Sequence, residues 1–136
     1  GGFALILSGL VRVGSLTALS DPWLVAAALI AAGSSSRCIL PWIMSSVELA
    51  SAKGVAAAVG KPSLGSAVIA VLGGGVLSVL CLGLTHGIII LILASLVAWL
   101  GGYLARRFLG GYNGDLLGAV QQTAEIVVLL AAVALV

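Results

Sequence analysis

Six basic and four acidic residues are spread over 136 positions, and Arg12, Arg37 and Glu125 fall inside long apolar runs. An ionisable side chain in a bilayer is costly unless paired or hydrated, so each is a candidate for function. Arg12 has two outlets: snorkelling to a surface or pairing with a carboxylate. Arg37 follows Ser34-Ser35-Ser36, deep in its run. Its planar fork of donors suits a phosphate or carboxylate ligand. The alternative is a buried pair with Glu48 or Glu125.

The densest signal is GGYNGDLLGAVQQTAEIVVLL, from Gly110 to Leu130. Two glycines and an Asn-Gly turn lead into an apolar helix. On that helix Asp115, Gly118, Gln122 and Glu125 share an arc of roughly 80°. The stripe therefore reads acid, glycine, amide, acid, and Gly118 leaves room for a bulky group. Carboxylates beside a phosphate-bearing substrate suit Mg²⁺, a hard ion that takes oxygen ligands. Arg106 and Arg107 are placed to hold phosphate oxygens, or else they are plain interfacial anchors. Asp115 can also act as a helix cap. A Gln-Glu face in lipid serves no packing purpose, which favours a functional stripe.

The elements that must position these groups follow from composition. The chain is 62% hydrophobic and 7% charged, with mean hydropathy +1.32, whereas soluble domains carry about 25% charged residues. A water-soluble domain, a disordered chain, a coiled coil and a secreted disulfide scaffold are all excluded. A net charge of +2 gives no reason for a nucleic-acid partner. The fold class is all-α, a polytopic membrane protein of about five transmembrane helices forming a single domain over residues 1–136.

A bilayer core needs roughly 20 apolar residues per helix. Five runs serve: Gly2–Leu19, Pro22–Val47, Leu64–Leu84, Gly87–Ala105 and Leu116–Val136. Pro22 suits a first helical turn, and Pro41 should kink or end its helix. Ser20-Asp21 and Thr85-His86 are short uncharged-by-base turns, while Lys53, Lys61, Arg106 and Arg107 occupy the other two connections. The positive-inside rule puts those basic connections in the cytoplasm. Ala70, Gly74, Ser78 and Ala94, Ala98, Gly102 place small residues every four positions, as close helix packing requires. Cys38 and Cys81 read as inert thiols, and His86 as an interfacial residue.

LGGYNGDLLGAVQQTAEIVVLLA resembles the C-terminal signature of the cobalamin 5′-phosphate synthase family, also called adenosylcobinamide-GDP ribazoletransferase. Leu109, Gly110, Gly111, Gly114, Asp115, Gly118, Ala119 and Glu125 match it, and Asn113 stands where Thr is usual. Ser36-Arg37 is similar to a Ser-Arg pair within a membrane helix of that family, and Lys53-Gly54 to Lys61 to its basic loop. The family's upstream acidic motif has no counterpart here, and the chain starts with Gly1 inside an apolar run. It looks like the C-terminal half of a longer enzyme, inactive by itself.

The resemblance implies transfer of α-ribazole, or its 5′-phosphate, onto adenosylcobinamide-GDP with release of GMP, in the last steps of cobalamin biosynthesis and with Mg²⁺ as cofactor. It implies Asp115 and Glu125 as catalytic residues, with Asp115 on the metal. Arg37, Gly110, Gly111, Asn113, Gly114, Gly118 and Gln122 would bind substrate. The setting would be the plasma (inner) membrane of a bacterium or archaeon, with membrane lipid as partner, no nucleic acid, and a homo-oligomer allowed. The rivals are a small transporter or channel subunit, with Arg37 and Glu125 lining a path, and a purely structural membrane subunit.

Overall fold

The computed structural model describes residues 2–46 and 62–135, so Glu48 and the Lys53–Lys61 loop lie outside the described residues. Within them run α1 (Gly2–Ala18), α2 (Pro22–Cys38), α3 (Leu40–Ser46), α4 (Leu64–Leu82), α5 (Leu84–Leu104), a π-helical turn (Ala105–Leu109) and α6 (Gly114–Leu135). Asp21 caps α2, its carboxylate accepting the Trp23 N–H at 3.0 Å, with Pro22 in the first turn. Ser63 caps α4 in the same way, accepting the Ser66 N–H at 3.2 Å.

Pro41 acts as expected. It has no N–H to offer the Arg37 carbonyl and its ring crowds that group, so α2 stops at Cys38 and the chain resumes as α3 after Ile39. The two pieces still make one apolar span, Pro22–Ser45. The α4–α5 connection differs from the expected Thr85-His86 turn. Gly83 reverses the chain at φ +86°, a conformation open to glycine at little cost, and Thr85 and His86 fall inside the first turn of α5.

Pro22–Ser45, Leu64–Leu82, Leu84–Leu109 and Gly114–Leu135 are long and apolar enough to cross a membrane. The fifth expected span, α1, has 17 residues, somewhat under the roughly 20 that a bilayer core asks for.

α2 packs on α4 and α6, and α5 packs on the same two, closing a four-helix ring; α1 lies outside it, against α6. The packing is inside-out relative to a soluble bundle. Small residues such as Ala28, Ala31, Ala94, Ala98 and Ala124 are buried, whereas Phe3, Trp23 and Leu80 are 81%, 83% and 76% exposed. Lipid tails solvate large apolar side chains as well as a protein core does, so helices gain by close approach of small ones. The small-residue stripes largely obey this: Gly74, Ser78, Ala94, Ala98 and Gly102 are buried, while Ala70 is only half-buried. Cys38 is buried, Cys81 half-buried, and both are free thiols.

Candidate functional site

Between α5 and α6 the backbone makes a tight, glycine-dependent turn. The N–H groups of Gly110 and Gly111 both reach the Ala105 carbonyl, which widens the last turn carrying Arg106 and Arg107 into a π-helix. Gly110 sits at φ +70° and Gly111 at φ +146°. A side chain at the left-handed Gly110 would cost roughly 1–2 kcal/mol. Tyr112, only 2% exposed, inserts into the core and pins the turn from below. Arg107 lies over the Phe108 ring, 5.8 Å from its centroid.

α6 then starts two residues before the expected Leu116, because Asn113 is its cap. The Asn113 side-chain oxygen accepts the Leu116 N–H at 2.8 Å. This corrects the reading of Asp115 as a cap, and it explains the Asn found where Thr is usual, since both cap helix N-termini. Asp115 lies exposed in the first turn of α6, where a negative charge is favoured by the helix dipole. Among the described residues its carboxylate has no hydrogen-bond or ion-pair partner. A Cβ built at Gly114 or Gly118 meets nothing within 4 Å. The upper half of the stripe is thus open, with the room at Gly118 that the sequence suggests.

The lower half is closed by α1. Arg12 donates from Nη1 to Glu125 Oε1 at 2.7 Å, from Nη2 to the Gln122 side-chain oxygen, and from Nε to Ser8 Oγ at 3.3 Å. The two charged side chains are 25% and 14% exposed. Of the outlets considered for Arg12, pairing with a carboxylate is the one taken. Glu125 therefore does not pair with Arg37. Counted from their helix starts, Arg12 and Glu125 stand at similar positions, but which helices meet is not legible along the chain.

Arg37 points the other way. Ser35, Ser36 and Cys38 are buried while Arg37 is exposed, on the face of α2 turned from the core. Its Nη1 donates to the Gly33 carbonyl at 3.1 Å. The neighbouring serines do not form a polar pocket around it: Ser34 and Ser35 donate to the Ala31 carbonyl, and Ser36 donates to that of Gly33. Among the described residues no hydrogen bond or ion pair joins Arg37 to the α6 stripe. No group of three or more His, Cys, Asp or Glu side chains is placed to hold a metal among them. Asp115 and Glu125 are about 15 Å apart along the helix axis, too far to share an ion. Asp115 alone suits Mg²⁺, which binds through one or two carboxylates, substrate phosphates and several waters.

A family model described as cobalamin-5-phosphate synthase matches residues 1–133. The adenosylcobinamide-GDP ribazoletransferase of Bradyrhizobium diazoefficiens is 43% identical over 131 residues, covering 96% of this chain and 50% of the relative. That of Mesorhizobium japonicum is 41% identical over 133 residues, covering 97% and 51%. The chain spans about half the length of the curated relatives it matches. No solved structure matches it.

Proposed function

The chain belongs to the cobalamin-5-phosphate synthase family, and from that premise we propose that it is the membrane-embedded C-terminal half of an adenosylcobinamide-GDP ribazoletransferase of a bacterial or archaeal inner membrane. The observation that carries this reading is the open Asp115 carboxylate beside the Gly110-Gly111 turn, freed from capping by Asn113. In the reaction a riboside hydroxyl forms a bond to the cobinamide-bearing phosphorus, the bond to the GMP oxygen breaks, and the hydroxyl proton is released. Such transfer depends on positioning and on neutralising charge.

Asp115 would hold Mg²⁺ together with acids from the part of the enzyme that this chain does not span; bound there, the ion would screen the phosphate oxygens. The Gly110–Gly114 backbone and Gly118 leave space for the substrate at this mouth. Arg37 faces outward from α2, so it would hold the diphosphate only from that outer face, where the rest of the enzyme would have to bring it. Gln122 and Glu125 act one step back, through Arg12, holding α1 in place. A transporter reading needs Arg37 and Glu125 on one path, yet Glu125 is tied at the α1–α6 contact and Arg37 faces outward from α2.

The test is GMP release from adenosylcobinamide-GDP by the natural full-length protein in lipid vesicles. Release that requires α-ribazole and Mg²⁺ is expected, with none from the 136-residue chain alone. Substrate-independent ion or solute flux, with no GMP formed, overturns the reading.

A further inference from the structure

The outer side of α2 carries a charge in apolar surroundings. Trp23, Ala26, Ile30, Gly33 and Arg37 fall within an arc of roughly 80° on that helix, opposite the buried Ala28, Ala32 and Ser35. Trp23, Ala26, Ile30 and Arg37 are exposed and Gly33 is half-buried, so the stripe faces outward. Side chains on a helix lean toward its N-terminus, and Arg37 does so, its Nη1 donating to the Gly33 carbonyl at 3.1 Å. A Cβ at Gly33 would stand 3.2 Å from that nitrogen, so the glycine lets the guanidinium lie flat on the helix. Gly33 is at the middle of the apolar Pro22–Ser45 span, about 17 Å from either end at 1.5 Å per residue. The fork thus points into the bilayer and away from its nearer surface.

Lipid tails offer no acceptor, and a guanidinium at that depth is costly unless paired. Arg12 shows how this fold meets such a need, with a carboxylate on the neighbouring helix. For Arg37 the described residues supply only the carbonyl of its own helix, which takes one donor of the fork. Charge and symmetry narrow what covers it. Two copies inserted the same way are related by an axis along the membrane normal. Contact through this stripe would then set Arg37 against its copy at equal depth, cation against cation. Among the described acids, Asp21 caps α2, Glu125 is held by Arg12, and Asp115 stands in the first turn of α6. The chain spans 50% and 51% of two curated relatives, so in an enzyme of that length as much chain again must find a surface on this bundle.

We propose, resting on the reading of this chain as one half of a longer enzyme, that the outer face of α2 is the docking surface for the other half, through a membrane helix that sets an Asp or Glu carboxylate against Arg37. The small side chains of Ala26 and Gly33 let that helix come close. The test places a photoreactive benzoylphenylalanine at Ile30, about two turns from Arg37 on the same stripe, in the natural full-length protein in lipid vesicles without substrate. After irradiation the captured peptides are identified by mass spectrometry. A product of monomer size joined to a peptide of the other half is expected. Arg37→Glu should lower that capture at least about fivefold, because like charges across a contact repel, and Arg37→Lys should keep most of it. Lys in place of the acid on the captured helix should restore capture in Arg37→Glu.

Capture of lipid alone overturns the proposal without recourse to any charge variant. So does capture of a second copy, or of residues 47–61 of the same chain. Undiminished capture in Arg37→Glu leaves the fork to the substrate diphosphate and overturns the carboxylate pairing, as does a charge exchange that restores nothing. GMP release plays no part in this readout, so the docking surface and the ribazoletransferase reading can fail separately.

Discussion

The two acids of α6 share one side of one helix but meet opposite surroundings. Glu125 lies against α1 and is bonded to Arg12, whose fork also takes Gln122 and Ser8. Asp115 lies at the mouth, exposed, with its expected capping duty carried by Asn113. Depth explains the difference. A carboxylate far inside an apolar layer must be matched by a cation and hydrogen-bond donors, so the fold uses it to seat a helix. A carboxylate in the first turn has water and the helix dipole, so it can stay available for chemistry. An acid on a membrane helix is thus more informative about function where the fold leaves it unmatched.

The largest effect should separate the two acids. In the natural full-length protein Asp115→Asn is expected to lower the rate of GMP release by about 100-fold or more, the scale of losing one preorganised electrostatic contact. Glu125→Gln, which keeps a hydrogen-bonding oxygen for Arg12, should cost far less and leave the Mg²⁺ dependence unchanged. Equal losses in the two variants would erase the contrast and return Glu125 to the reacting groups.

A smaller effect should appear in stability at the lower half of the stripe. Arg12→Ala strips Glu125 of its cation and should destabilise the protein by roughly 1–3 kcal/mol, the pair being only partly enclosed. Adding Glu125→Ala should restore part of that loss, because no uncompensated charge is then left. Thermal unfolding in detergent reads both, and strict additivity of the two substitutions would mean that the pair does not hold α1.

The smallest effect belongs to the cap. Asn113→Ala should cost about 1 kcal/mol, while Asn113→Thr should be close to neutral, since both native and substituted side chains accept an N–H at a helix start. The same unfolding measurement applies. An Asn113→Thr variant as damaged as Asn113→Ala would return the capping role to Asp115 and weaken the case for a free carboxylate.

Much of this was legible in the residues. Composition alone makes a membrane protein, because a chain with 7% charged residues has no means of building a wetted surface. Run lengths placed the helices, Pro41 marked the break in the second one, and the small-residue stripes marked buried contacts, since all three depend on local covalent geometry or on size. That Asp115, Gly118, Gln122 and Glu125 share one face of α6 was legible for the same reason: helical periodicity sets which residues lie on one side.

Other features required the packed structure. The residues left both Arg12 and Arg37 with alternatives and Asp115 with two, and only the docking of α1 onto α6 chose Arg12 for Glu125 and left Arg37 outside. The cap passed to Asn113 because Gly110 and Gly111 take positive φ and Tyr112 anchors in the core, which together fix where α6 starts. Periodicity and composition act along the chain, so the sequence determined the helices and the shared face; pairing, capping and cavities depend on which surfaces meet, and only the tertiary structure decided those.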